Sequence, residues 1–276
     1  MEKLTSVASK IRKDILKIAY YGGGAHIASS YSIVEILTVL YFEVLNIDPC
    51  CSDHPDRDRF ILSKGHASAA IYAILAERGF FEKAQLKTFC QPGSMLGGHP
   101  EMHLVPGIEA STGSLGHGLS FGTGIAYAGK VQRRKYRTFV LLGDGECQEG
   151  SVWEAALFAS HHKLNSLTAI VDFNKLQALD RIEKILGLDP LMDKWQSFGW
   201  HVEEVDGHDI HALSAVLSKP VPAAERPTAI IAHTIKGKGI SFMENTPIWH
   251  FRFPNEAELE IAFKDLGVYD KKEFLS

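Results

Sequence analysis

Apolar residues along the 276-residue chain follow two periodicities. Leu4, Val7, Ile11, Ile15 and Ile18 recur every three or four positions, which predicts an amphipathic helix over 4–20, ended by Gly22-Gly23-Gly24. Ser32 and Glu35, three apart, predict a capping box on a second helix that carries Ile33, Ile36, Leu37 and Leu40. The polar segment 46–58, with Pro49 and Pro55, reads as loop. Residues 59–63 read as a short buried strand that runs through Lys64-Gly65-His66 into an apolar helix over 67–78. Residues 91–116 hold no long periodic element and are rich in Gly, Pro, Ser and His, which suits a structured functional loop. From Gly116 to about Val131 the pattern is helical, with small residues that allow close packing.

The second half alternates regularly. Strands are expected at 138–142, 167–172, 201–205 and 228–233. Helices are expected at 151–163, about 189–198, 210–218 and 256–266. Apolar strands alternating with helices predict an α/β fold: a parallel sheet with helices on both faces. Pro220–Pro227 reads as a connector, so residues 1–276 are expected to form a single domain.

Composition narrows the function. The chain is 45% hydrophobic and its net charge of −4 argues against nucleic-acid binding. No run of ~20 apolar residues predicts a membrane span. The start, Met1-Glu2-Lys3-Leu4, lacks a secretory apolar region, so a cytoplasmic location is expected. The four cysteines make no C-x-x-C pair, which argues against a cysteine zinc site and leaves them as packing or surface residues.

The strongest local signal is the Gly143-Asp144-Gly145 turn just past the expected strand 138–142, where open α/β sheets bind ligands. The next strand ends in Asp172-Phe-Asn174-Lys-Leu176. Adjacent parallel strands would bring Asp144 and Asn174 to one sheet edge. A carboxylate, an amide oxygen, a backbone carbonyl and phosphate oxygens suit an octahedral Mg²⁺ shell. The pattern resembles the diphosphate–Mg²⁺ motif of thiamine-diphosphate enzymes. No Rossmann or P-loop motif occurs in the required context.

Three further segments, Leu62-Ser-Lys-Gly-His66, Gly98-His-Pro-Glu101 and Ser111-Thr-Gly-Ser-Leu-Gly-His-Gly118, resemble the transketolase family and stand in its order. The resemblance runs from about Lys10 to Pro254. It implies the thiamine-diphosphate-binding fold and the diphosphate-binding half of a transketolase, with the pyrimidine-binding and carboxyl-terminal domains on a separate chain. It also implies transfer of a two-carbon ketol unit from a ketose to an aldose, on sugars or sugar phosphates. The partner would be the carboxyl-terminal transketolase subunit, which supplies the glutamate that activates the aminopyrimidine, in an α2β2 assembly.

Residue by residue, the resemblance implies Asp144, Asn174 and the Leu176 carbonyl as ligands of Mg²⁺, with Ca²⁺ or Mn²⁺ as alternatives. Gly145 and His66 would meet the diphosphate. Gly113, Ser114 and Leu115 would lie against the aminopyrimidine, and Ile235 against the thiazolium. His26, His66, His99 and His250 would serve the substrate and its protons, His250 also meeting the cofactor. Neutral imidazoles suit this work, because one ring both donates and accepts hydrogen bonds. Glu149 and Glu154 match acidic residues at the subunit interface, Glu149 close to the cofactor; their simpler reading is attraction to a helix amino terminus. His54, His103, His161, His162, His201, His208 and His211 carry no motif and read as surface or capping residues; Lys64, beside His66, reads as a solvated lysine, with contact to a substrate or cofactor phosphate as the alternative. The chain departs from the family pattern at Ala25 before His26, at His117 in place of glutamine, and at Phe251-Arg252 after His250. Two alternatives stay open: the α-type subunit of a 2-oxoacid dehydrogenase, and a non-catalytic scaffold subunit.

Overall fold

In a computed structural model that describes residues 2–219 and 225–275, five strands form one sheet. They are β1 (Arg59–Leu62), β2 (Thr138–Gly143), β3 (Leu167–Phe173), β4 (His201–Asp206) and β5 (Thr228–His233). Their order is β1-β2-β3-β5-β4 and every neighbouring pair is parallel. Each expected strand is present to within a residue or two. Of the expected connector 220–227, residues 220–224 lie outside the described residues.

The helices are α1 (Glu2–Gly22), α2 (Ile27–Tyr31), α3 (Val34–Val39), α4 (Ser68–Arg78), α5 (Gly118–Val131) and α6 (Gly150–His161). The later ones are α7 (Ile182–Ile185), α8 (Leu191–Ser197), α9 (Ile210–Leu217), α10 (Glu256–Asp265) and α11 (Lys271–Leu275). Alternate strand residues serve opposite faces, as the pleat requires. Phe139, Leu141, Ile170 and Ile230 pack with α1, α3, α4 and α9. Val140, Leu142, Val171 and Ile231 pack with α5, α6 and α8, including the fully buried Trp195. Burial on both faces explains the largely apolar sequences of β2, β3 and β5, with Asp172 near the end of β3 as the carboxylate among them. The edge strand β4 differs: His201, Glu204 and Asp206 are exposed and Val205 is buried.

Two local expectations are corrected. Ser32 and Glu35 do not form a capping box; Ile33 precedes α3 and no side chain caps it. Both polar side chains are engaged by partners outside their own helix, Ser32 by Asp172 and Glu35 by Arg12 and His208. A capping box does form at Asn255 and Glu258, where α10 starts. Helix α5 starts at Gly118 rather than Gly116, because Gly116 takes a left-handed φ of 82° that a helix cannot include.

Helix α5 crosses β2 at a glycine. A Cβ on Gly122 would meet Val140 Cγ2 at 2.3 Å, whereas one on Gly124 would meet nothing. Gly122→Ala gains at most ~1 kcal/mol of helix propensity. It also overpacks a fully buried contact, which costs about 1–3 kcal/mol. Gly122→Ala is therefore expected to destabilise the chain and Gly124→Ala to stabilise it, as measured by urea denaturation.

Candidate functional site

All five strands deliver polar residues at their carboxyl ends, on one edge of the sheet. Ser63 and Lys64 follow β1, Asp144 follows β2 and Asn174 follows β3. His208 follows β4, and Thr234 and Lys236 follow β5, with the apolar Ile235 between them.

The register of β2 on β3 pairs Gly143 with Asp172, which brings the two motif segments together as expected. Asp144 is buried and fixed by backbone: Oδ1 accepts from Gly145 N at 2.8 Å and Oδ2 from Lys175 N at 2.5 Å. Burial, then the nearby charge of Asp172, pushes its pKa up to about 7. Among the described residues this carboxylate forms no ion pair, and a divalent ion would supply a counter-charge. Asn174 Oδ1 accepts from Leu176 N at 3.1 Å. One carboxylate, one amide oxygen and one backbone carbonyl form a hard donor set that fits Mg²⁺. Among the described residues no cluster of three His, Cys, Asp or Glu could hold a metal, so this mixed set is the candidate.

Lys236, which sequence reasoning missed, donates from Nζ to the Leu176 carbonyl at 3.3 Å and lies 2.8 Å from His250 Nδ1. Burial, then repulsion from Lys64, lowers its pKa to about 8. It is a buried cation between the Leu176 carbonyl and the histidine cluster.

Lys64 is not solvated. It is 1% exposed, and Nζ donates to Asp172 Oδ2 at 2.5 Å and to the Ser29 carbonyl at 2.9 Å. Asp172 is fully buried and also accepts from Ser32, Thr234 and Asn174. The signal for it was present in the sequence: a carboxylate inside an otherwise uncharged buried strand.

Glu146 was also missed. It is buried, and its carboxylate accepts from Ser63 Oγ at 2.5 Å, Gly116 N at 2.9 Å and Gly143 N at 3.1 Å. It thereby joins the turn after β2 to the 111–118 segment. Gly113, Ser114 and Leu115 line that segment's open side, with Gly113 and Ser114 exposed and Leu115 half-buried. A Cβ on Gly113 would approach His99 Cδ2 to 2.9 Å, so the close contact requires glycine. Ile235 is half-buried. Glu149, which precedes α6 without a side-chain cap, and Glu154 on α6 are both exposed in this single chain.

The four singled-out histidines meet. The His26 ring centroid lies 5.1 Å from those of both His66 and His250 and 6.4 Å from that of His99. Phe251 closes on His26 at 4.7 Å. Burial, then the charge of His99, lowers the pKa of His26 to about 4. Burial, then Lys236, lowers that of His250 to about 3. Burial, then Lys64, holds His66 well below the ordinary value. These three rings are neutral near pH ~7 and able to donate and accept hydrogen bonds with hydroxyls. Of the other histidines, His208 is corrected. It is no surface residue: Nδ1 meets Glu35 Oε2 at 2.9 Å and Nε2 accepts from Ile235 N at 2.8 Å, tying the loop after β5 to the body of the fold. His54, His103, His161, His201 and His211 are exposed, and His162 stacks on Phe158 at 4.2 Å. Cys50, Cys51 and Cys90 are exposed, Cys147 is buried and all four are free.

Residues 5–275 match the family model "Transketolase, thiamine diphosphate binding domain". The chain is 44% identical over 266 residues to one of the subunits of apulose-4-phosphate transketolase from Actinobacillus succinogenes, covering 96% of each chain. It is 42% identical over 237 residues to a 6-deoxy-6-sulfo-D-fructose transketolase subunit of a Clostridium species, covering 86% of each. The transketolase structure from Leishmania mexicana superposes with a TM-score of 0.89 at 29% identity, over 96% of this chain and 41% of that one. The chain thus spans most of each of the two subunits and about two fifths of the longer transketolase.

Two outcomes follow from the geometry. His26 and His250 refuse protons that the unfolded chain accepts below pH ~6.5, so their stabilisation is complete above that pH and is lost as pH falls toward their folded values. Between pH ~7 and ~4.5, the melting temperature of the wild-type chain should fall further than that of His26→Asn; equal falls would show an ordinary histidine. Glu146→Gln sets an amide N–H₂ against one of three donors and should cost about 1–3 kcal/mol in chemical denaturation.

Proposed function

We propose that this chain, which belongs to the transketolase family, is the diphosphate-binding subunit of a two-component transketolase that transfers a two-carbon ketol unit from a ketose to an aldose. The observation that carries the reading is the convergence of Asp144, Asn174 and the Leu176 carbonyl with four histidines at one sheet edge. Asp144, Asn174 and Leu176 would hold Mg²⁺, with Ca²⁺ or Mn²⁺ as substitutes. Lys236, His66, Gly145 and His250 would hold the diphosphate. Gly113, Ser114 and Leu115 would face the aminopyrimidine, Ile235 the thiazolium, and Glu149 the cofactor from the interface side. Thiamine diphosphate, when bound, supplies the carbanion chemistry of carbon–carbon cleavage. His26, His66, His99 and His250 orient substrate hydroxyls and move their protons.

The pyrimidine-binding and carboxyl-terminal domains belong, in this reading, to a second chain. An uncovered apolar face supports it: Phe121, Tyr127 and Val131 on α5 and Leu157 and Phe158 on α6 are exposed. Two copies of each subunit would form an α2β2 assembly, with Glu149 and Glu154 near its interface. The two similar subunits carry different sugars in their names, so the substrate class is a ketose or ketose phosphate. No described helix is long and apolar enough to cross a membrane. Four free cysteines are in keeping with a reducing cytoplasm. The likeness is to transketolases and gives the 2-oxoacid dehydrogenase alternative no support.

Calorimetric titration of thiamine diphosphate with Mg²⁺ tests the reading, on the chain alone and with its partner subunit. Tight binding is expected only in the mixture. Asp144→Ala should weaken it by more than the roughly 10- to 100-fold that loss of an outer-shell partner costs. Absent binding in the mixture supports the scaffold reading, and release of CO₂ from a 2-oxoacid the dehydrogenase one.

A further inference from the structure

We propose that Asp172 is a positioning residue for the metal: it turns the Asn174 amide so that its nitrogen faces inward and its oxygen is left to face the cation. The inference rests on the functional reading above and deepens it. Asp172 is an acceptor fixed from several sides, with Lys64 Nζ 2.5 Å and Ser32 Oγ 2.8 Å from its Oδ2. Asn174 Nδ2 donates to the same oxygen at 3.0 Å. Only the nitrogen end of an amide can face an ionised carboxylate. The other end of Asn174 accepts from Leu176 N at 3.1 Å, and only an oxygen can do that. Two independent partners therefore impose one orientation, and Oδ1 keeps a second lone pair for a ligand.

The same geometry explains why this ligand is an amide. A carboxylate at position 174 would place one oxygen beside Asp172 Oδ2, where the Asn174 nitrogen now stands at 3.0 Å. Two like charges in a buried site repel strongly. Aspartate is ordinarily the better ligand for a hard dication, yet here it would be the worse one. Lys64 pairs with Asp172, so what Asp172 contributes to the metal site is the orientation of Asn174.

Four proteins test this: wild type, Asn174→Asp, Asp172→Asn and the double exchange Asp172→Asn/Asn174→Asp. In the exchange, one carboxylate and one amide remain, so the repulsion between carboxylates at 172 and 174 is relieved, and the amide at 172 turns its oxygen to Lys64 and Ser32, which need an acceptor there. Mg²⁺ affinity is measured calorimetrically on the complex with thiamine diphosphate, and melting temperature on the metal-free chain. Asn174→Asp should weaken Mg²⁺ binding by roughly 10- to 100-fold, the usual scale for losing an outer-shell partner. The exchange should bind Mg²⁺ more tightly than Asn174→Asp. In the metal-free stability cycle it should lose clearly less than the sum of the two single changes.

If Asp172 is only the counter-ion of Lys64, Asn174→Asp leaves Mg²⁺ binding equal or tighter and the stability changes add. Either result overturns the proposal. A wild-type complex that takes up no Mg²⁺ would overturn the functional reading instead, and the metal-free cycle would still decide the orientation of Asn174.

Discussion

Lys64 and Asp172 are removed from water together, and each is tolerable there only because the other is present. A buried pair of this kind adds little net stability over an apolar substitute, but losing one member typically costs about 3–5 kcal/mol. That is a large part of the ~5–15 kcal/mol that stabilises a domain. The pair fixes more than itself. Through Asp172 it gathers Ser32 between α2 and α3, Thr234 after β5 and Asn174 after β3; through Lys64 it reaches the end of β1. Four separated stretches of chain are thereby held in one relative position at the sheet edge where the chemistry belongs.

This arrangement sorts the charges of the cleft. Asp172 is paired with Lys64, which leaves Asp144 as a buried carboxylate without an ion pair among the described residues, near the Asn174 amide. Lys236 stands opposite with its own charge disfavoured by burial. The rings of His26, His66 and His250 are held neutral by burial and by these lysines. Cation-seeking and anion-seeking groups thus lie a few ångströms from a set of uncharged proton carriers. A magnesium diphosphate would satisfy both kinds of charged group while leaving the histidines to hydroxyls.

Much of this arrangement is legible in the order of residues alone. Strand positions follow from apolar runs that burial on both faces demands, and the sheet's parallel order then places Asp144 beside Asn174. The motif histidines also converge, although the chain separates His26 from His250 by most of its length. What stays hidden are residues whose partners are distant in sequence. Lys64 reads as solvated because an isolated lysine usually is; its buried role depends on Asp172, 108 residues away. Ser32 and Glu35 have the spacing of a capping box, but tertiary partners outcompete the local bond. His208 carries no motif because its task is to brace the Ile235 backbone, which any sequence at that position would provide.

The edge strand β4 has a consequence for how copies of this chain can meet. Its outward residues His201, Glu204 and Asp206 are polar or charged, and Lys219 reaches back to Glu203. An open strand edge is ordinarily a template for another strand, and charged side chains discourage that pairing. Growth of the sheet into ribbons or fibrils is thus blocked at β4, while the apolar patch on α5 and α6 remains free to associate through side chains. At this edge, copies of the chain are therefore steered away from strand-to-strand pairing and toward contacts between helix faces.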